Sequence, residues 1–226
     1  MRWKRMKIAL LNEFSQAAKN PIILNELTTI GNKYGHEVYN VGMSEPLLSE
    51  DLPEAYSKDN PRLTYIHLGI QAALLLHSGA IDFIVTGCGT GQGALMSLNA
   101  YPGVICGYCI EPTDAYLFLQ INNGNALSLP YAKGFGWGAE LNLETIFDRA
   151  FGSNKGNGYP KERKASQNRN AEILNEVKQV MAKPLLSGLK ALDPALVRTA
   201  LTPRFLECFD AGCQNPSIKA FVEKMR

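Results

Sequence analysis

The sequence predicts an α/β fold: a five-stranded parallel sheet with helices on both faces, followed by a C-terminal helical extension. Three observations carry this. Through residues 1–151, short apolar runs alternate with amphipathic stretches, the pattern of parallel strands joined by crossover helices. Two of those runs end in polar or glycine-rich turns, which in open parallel sheets border the ligand crevice. After Phe151 the texture changes: Gly152-Ser153-Asn154-Lys155-Gly156-Asn157-Gly158 has linker composition, and helical stretches broken at Pro184, Pro194, Pro203 and Pro216 follow.

The elements follow in order. Residues 7–11 form an apolar strand that ends in polar Asn12 and Glu13. A helix over 21–34 opens on Pro21, suited to a first helical turn, and stops at Gly35. Residues 36–41 give a second strand, and 42–60, rich in Pro, Ser, Glu and Asp, a loop. An amphipathic helix over 65–78 closes at Gly79. A third strand, 81–86, leads into Gly87-Cys88-Gly89-Thr90-Gly91-Gln92-Gly93 and a short helix over 92–99. Strand 104–110, helix 112–120, strand 126–131 and helix 137–151 complete the domain. A Rossmann/flavodoxin-like sheet ordered 2-1-3-4-5 is expected, which sets Asn12 and Glu13 beside the glycine turn. Residues 1–151 form this domain and 152–226 the linker and helical extension. The extension's apolar residues Ile173, Val177, Val180, Val197, Leu201, Phe205 and Phe209 must cover either the sheet domain or a second subunit.

Composition narrows the function. With 226 residues, 46% hydrophobic and 19% charged, and a net charge of +2, the chain is globular. It has no arginine-rich face or aromatic platform for nucleic acid. The longest apolar run, 70–76, is far too short for a bilayer, and the basic start lacks a signal-type apolar stretch. No membrane partner and a cytoplasmic location are expected. Five cysteines, an odd number, fit a reducing compartment. Cys106-Gly107-Tyr108-Cys109 matches a redox C-x-x-C, but both thiols fall in a strand. Residues three apart there point to opposite faces, which leaves buried structural cysteines as the reading. His36 and His77 read as ordinary exposed histidines.

The glycine turn is the informative motif. A strand, a glycine-rich loop and a helix N-terminus together make an anion pocket, because backbone N–H groups and the helix dipole favour negative charge. Gly89-Thr90-Gly91-Gln92-Gly93-Ala94 satisfies a dinucleotide fingerprint, with Glu111 near the place of a ribose-binding acid. That reading leaves Cys88 without a role and sits on the third strand rather than the first. A second reading makes Cys88 a base whose thiolate is favoured by surrounding N–H donors. It removes a proton α to a carbonyl while the loop amides and the Thr90 hydroxyl hold the enediolate. The bland alternative is a small buried cysteine in a tight turn.

Gly87-Cys88-Gly89-Thr90-Gly91, then Cys109-Ile110-Glu111-Pro112, then Gln120-Ile121-Asn122 through Leu127, resembles the type B ribose-5-phosphate isomerase and galactose-6-phosphate isomerase family from about residue 6 to residue 163. The resemblance implies no metal or organic cofactor, and a homodimer or tetramer whose active sites are shared between subunits. It implies Cys88 as the base, Thr90 and the backbone of Gly89, Gly91 and Gly93 around the enediolate, and Asn122 on substrate hydroxyls. Tyr65 and His67 match the helix start that borders the pocket. Several positions depart from the pattern. Asn12 and Glu13 replace an Asp-His pair, and Glu13 at the strand's end is a candidate acid, base or hydroxyl ligand. Ile121 replaces the histidine that opens the sugar ring. Ala132 and Tyr159 replace phosphate-binding arginines, leaving Arg163 and, beside Ala132, Lys133 as candidate anion ligands.

The expected function is therefore an aldose–ketose isomerase of a small pentose or hexose phosphate, acting through a cis-enediolate. A family member that binds a sugar or metabolite without isomerising it is the alternative, and a dinucleotide-binding protein the third.

Overall fold

The computed structural model describes residues 5–44 and 61–226. Most of the expected 42–60 loop, and the first four residues of the basic start, lie outside the described residues. Five strands, β1 (Lys7–Asn12), β2 (Glu37–Asn40), β3 (Phe83–Cys88), β4 (Cys106–Tyr108) and β5 (Ala126–Pro130), form one sheet in which every pairing is parallel. The helices between them are α1 (Asn20–Tyr34), α2 (Tyr65–Ser78), α3 (Gln92–Asn99), α4 (Pro112–Asn122) and α5 (Ala139–Phe151).

Side chains alternate across the sheet as strand geometry requires. On β1, Ile8 and Leu10 join one core with Phe83, Val85 and Leu127 of the sheet and apolar residues of α1, α4 and α5. Ala9 and Leu11 join a second core with Ile84, α2 and α3. The result is three layers with helices on both faces.

The order of the last two strands differs from expectation. The sheet runs β2-β1-β3-β5-β4, so β5 lies inside and β4 at the edge. Burial explains the swap: all five residues of β5 are buried, as an interior strand demands, whereas β4 is only three residues long and Tyr108 is half-buried. The amide of Asn99 occupies the Cys106 backbone, donating to its carbonyl (2.8 Å) and accepting from its N–H (3.1 Å). Side-chain capping of an edge replaces the missing neighbour strand.

The extension comprises α6 (Lys164–Met181), α7 (Leu185–Ala191), α8 (Pro194–Ala200), α9 (Pro203–Gly212) and α10 (Pro216–Met225). Of the two expected uses, covering the sheet domain is what the packing of α7 to α10 realises. Leu185, Leu189, Val197, Phe205, Phe209, Ile218 and Val222 are buried in the same core as α2. Helix α2 is thus apolar almost all round because it is sandwiched, with the sheet on one side and the extension on the other. Gln71, fully buried in α2, donates to the Ala200 carbonyl of α8 at 2.8 Å. Helix α6 is different. It has no buried residue, and Ile173, Leu174, Val177, Val180 and Met181 are exposed; its inward contacts are polar, Lys178 donating to the carbonyl of Val104 and to Asn99, and Asn168 to the carbonyl of Gly156.

Candidate active site

Cys88 is the last residue of β3 rather than a member of the turn, because the strand continues two residues past its expected end and pairs with β5 at Pro130. The chain then turns through Gly89 and Thr90 to Gly91, whose left-handed φ of 73° caps the start of α3. Every carbonyl from Cys88 to Gly91 is held by the protein. Cys88 O accepts from the N–H of Tyr131 (2.9 Å), Gly89 O from the N–H of Ala132 (2.8 Å), Thr90 O from the Tyr108 hydroxyl (3.0 Å) and Gly91 O from the Ser128 hydroxyl (2.6 Å). With its acceptors fixed against β4, β5 and the segment after β5, and the Gly91 N–H turned inward onto Cys88 O at 3.3 Å, the turn leaves its remaining N–H groups to face elsewhere. They adjoin the first turn of α3, where helix geometry leaves N–H groups without intrahelical acceptors. This is an anion-binding arrangement.

Three of the four glycines answer to the protein's own packing. A Cβ at Gly87 would stand 2.3 Å from Leu129 O and 2.4 Å from the Tyr131 ring, and one at Gly91 2.8 Å from the Leu129 backbone and the Tyr108 ring. At Gly93 it would meet the Tyr65 ring at 3.1 Å, which brings half-exposed Tyr65 onto the start of α3. Only at Gly89 is there room, with the nearest atoms, of Gln16 and Ala132, beyond 3.5 Å. Cys88 itself is 7% exposed, its Sγ 4.0 Å from the Oγ1 of exposed Thr90, which also accepts from the Gln92 N–H at 3.3 Å.

Asn12 lies opposite Gly87 in the β1–β3 register, so the end of β1 does adjoin the turn. Asn12 is fully buried; its amide donates to Met43 O (2.7 Å) and accepts from Asn20 (2.6 Å), which gives it a scaffolding role in holding the loop after β2. Glu13, 3% exposed, caps a 3-10 helix, Phe14–Lys19, that the sequence reading missed. Its carboxylate accepts from the N–H (2.9 Å) and hydroxyl (2.6 Å) of Ser15. His67 also caps: its Nδ1 accepts from the Thr64 N–H at 3.0 Å, and burial, outweighing a contact with the Thr64 backbone, pushes the imidazole below its ordinary value. Lys133 is exposed, one residue beyond the Ala132 N–H that holds Gly89.

Asn122 and Arg163 stand apart from this group. Asn122 ends α4, at the end of the sheet where the parallel strands begin, while Cys88 is at the other end, where β3 stops. The chain then crosses back over α4, with the N–H groups of Gly156 and Gly158 on the carbonyls of Leu119 and Gln120 and Tyr159 against Tyr116, before exposed Arg163. Within one chain neither residue can meet Cys88. A large cleft lined by Met6, His36, Asp82, Phe151 and Lys155 also lies where the strands begin, away from the turn.

Two readings made on sequence lose ground here. Cys106 and Cys109 belong to the two different cores on either side of the sheet, and burial pushes both thiols up to about 12, as inert buried cysteines require. Glu111, the candidate ribose ligand, is the N-cap of α4 in a reciprocal capping box with Asp114. His36 is not exposed: it is 5% accessible, with Nδ1 accepting from the Met6 N–H at 3.2 Å and its ring against Phe151. His77 is half-buried, with Nε2 2.7 Å from Pro102 O.

A family model described as Ribose/Galactose Isomerase matches residues 8–145, and a second, described as Ribose-5-phosphate isomerase, matches 180–225. The chain belongs to the ribose/galactose isomerase family. Two solved structures resemble it over nearly its whole length. A ribose-5-phosphate isomerase from Vibrio parahaemolyticus is 54% identical, with 99% of this chain and 100% of that one covered and a TM-score of 0.91. A 4-deoxy-L-threo-5-hexosulose-uronate ketol-isomerase, complexed with a tartrate, is 49% identical, with 97% and 99% covered and a TM-score of 0.88. Ribose-5-phosphate isomerase B of Escherichia coli (strain K12) is 36% identical over 67 residues, 30% of this chain; the match spans 45% of that enzyme's length. Among the described residues no group of side chains suits a metal ion, and no helix is long and apolar enough to cross a membrane.

Sequence reasoning missed the neighbours that shape the turn. Gln16 and Lys19 sit in the unpredicted 3-10 helix, and Tyr108, Ser128 and Tyr131 hold the turn from β4, β5 and just beyond. Their periodicity is that of ordinary strand and helix residues; the unforeseen 3-10 helix brings Gln16 and Lys19 to the turn, and the unforeseen place of β5 beside β3 brings Ser128 and Tyr131.

Proposed function

We propose that this chain is an aldose–ketose isomerase of a small anionic sugar, working through a cis-enediolate with Cys88 as the base. The observation that carries the reading is the turn from Cys88 to Gly91, whose carbonyls are all engaged on the protein side, next to a thiol and a helix start. Cys88 thiolate removes the C2 proton of the open-chain aldose, and the electron pair moves through C1–C2 onto the carbonyl oxygen. The loop N–H groups and Thr90 hold the negative oxygens. A proton passes between O1 and O2, and Cys88 returns its proton to C1, giving the ketose. Hydrogen and electrons move only within the substrate, so no external oxidant enters the balance.

The family and the Vibrio relative favour a sugar phosphate as substrate. A specific observation favours a second class, the open-chain uronate. Ile121 stands where a ring-opening histidine is expected and cannot transfer a proton, while Ala132 and Tyr159 replace phosphate-binding arginines. The uronate ketol-isomerase relative, 49% identical, matches a substrate that carries a carboxylate instead. In either case a second copy of the chain would supply Asn122 and Arg163 to complete each site, since one chain holds them far from Cys88.

In D2O, the wild-type protein is expected to exchange deuterium into C2 of its substrate, and Cys88→Ala to abolish that exchange while melting at the same temperature. Assays with ribose 5-phosphate, galactose 6-phosphate and 4-deoxy-L-threo-5-hexosulose uronate separate the substrate classes. Undiminished exchange in Cys88→Ala would refute the mechanism.

A further inference from the structure

By the family resemblance the site lacks two arginines, at Ala132 and Tyr159, yet a cation stands against it. Lys19 ends the 3-10 helix after β1, half-buried. Its Nζ donates to Gln16 Oε1 at 2.9 Å and to the carbonyl of Tyr131, and lies 5.0 Å from the centroid of the Phe135 ring. That carbonyl immediately precedes Ala132, whose N–H holds Gly89 O, and the Tyr131 N–H holds Cys88 O. Gln16, 6% exposed, borders the open side of Gly89, its Nε2 3.6 Å from where a Cβ would stand. The ammonium is therefore fixed within one peptide of the N–H groups that hold two of the four turn carbonyls, those of Cys88 and Gly89.

No carboxylate among the described residues pairs with it. Two of its three N–H donors are used by neutral acceptors, and among the described residues the third has none. A cation drawn partly out of water and held only by dipoles and a ring face gains from an anionic ligand. Burial accordingly pushes its ammonium below the ordinary lysine value.

Building on the isomerase reading, we propose that Lys19 is the substrate's anion ligand in this protein, placing positive charge beside Ala132 for a phosphate or carboxylate bound against the Gly89 turn. Gln16 is then a positioning residue, aligning the ammonium while its amide donates to Ser15 Oγ at 2.9 Å. The assignment needs a cation at position 19 and no particular shape of side chain.

Binding of inorganic phosphate and of tartrate is measured calorimetrically on the full-length wild type, Lys19→Met and Lys19→Arg, with melting curves alongside. Affinity for whichever anion binds is expected to fall at least about tenfold in Lys19→Met and to recover to within about threefold in Lys19→Arg, a loss of a favourable charge contact. A merely structural lysine would lower the melting temperature in both variants and leave anion affinity unchanged, which overturns the proposal. If Lys19→Met does not fold, acetic anhydride labelling of the wild type decides: protection of Lys19 by either anion supports the assignment, and labelling indifferent to both refutes it. A wild type that binds neither anion also refutes it. Protection of Lys19 without turnover of any sugar would leave the anion site standing and remove the isomerase reading.

Discussion

Gly87 and Gly89 differ by two positions and by what surrounds them. The absent Cβ of Gly87 is a packing requirement, since one would lie 2.3 Å from the Leu129 carbonyl, a backbone atom that cannot yield without breaking the β3–β5 ladder. Gly87→Ala is expected to cost about 3 kcal/mol or more, in the upper range of overpacking effects, read from urea denaturation. Gly89→Ala meets nothing closer than 3.6 Å and has no left-handed φ to strain, so its unfolding midpoint should stay put. Its methyl group would instead stand on the one open side of the turn and lower kcat/KM about tenfold or more, as misplacement at a reacting centre does. Equal stability losses in both variants would mean that the turn is only a structural corner. The glycine spacing was legible in the sequence as a candidate anion loop; which glycine is left open by the packing was not, because that depends on Tyr131 and Leu129 arriving from β5 and just beyond it.

Caps and strand order decide how much of each element could be read from sequence. Helices α2 and α3 run over the residues expected of them, since Gly79 stops one and Gly91 starts the other. Helix α5 begins at Ala139 rather than at Trp137, which is fully exposed, and β4 begins at Cys106 rather than at residue 104, with Asn99 taking the Cys106 backbone there. The order β5-β4 was hidden because a three-residue edge strand and a five-residue central one look alike as apolar runs. Buried histidines also give the elements a pH signature. Burial holds His36 and His67 below the usual imidazole value, each with Nδ1 accepting a backbone N–H. The unfolded chain takes up protons near pH 6.5 while the folded chain does not, so their stabilising share is complete above that pH and is lost as pH falls below it. The melting temperature should drop between pH 7.5 and 5.5, and His36→Gln should flatten part of that drop. A drop of the same size in the variant would remove His36 from the account.

The extension and the separated half-sites shape the molecule as a whole. Helices α7 to α10 close the outer face of α2, so that face cannot serve a second subunit, while α6 keeps Ile173, Leu174 and Val177 exposed near the α4 side. Asn122, at the end of α4, and Arg163, just before α6, lie on that same side of the fold, remote from Cys88. If two chains complete each other's sites, a chain defective at Cys88 and a chain defective at Asn122 fail for different reasons and fail at different ends. In a mixed two-fold dimer one site collects both defects and the other collects neither. Random mixing makes about half the dimers mixed, so unfolding and refolding equal amounts of Cys88→Ala and Asn122→Ala together should restore about a quarter of wild-type activity, from two preparations that are each nearly inactive. A mixture no more active than its parents, with subunit exchange verified by mass, would require each chain to build its site alone. Such a site would have to work without Asn122 and Arg163, leaving the groups around Lys19, Thr90 and Tyr65 to bind the whole substrate.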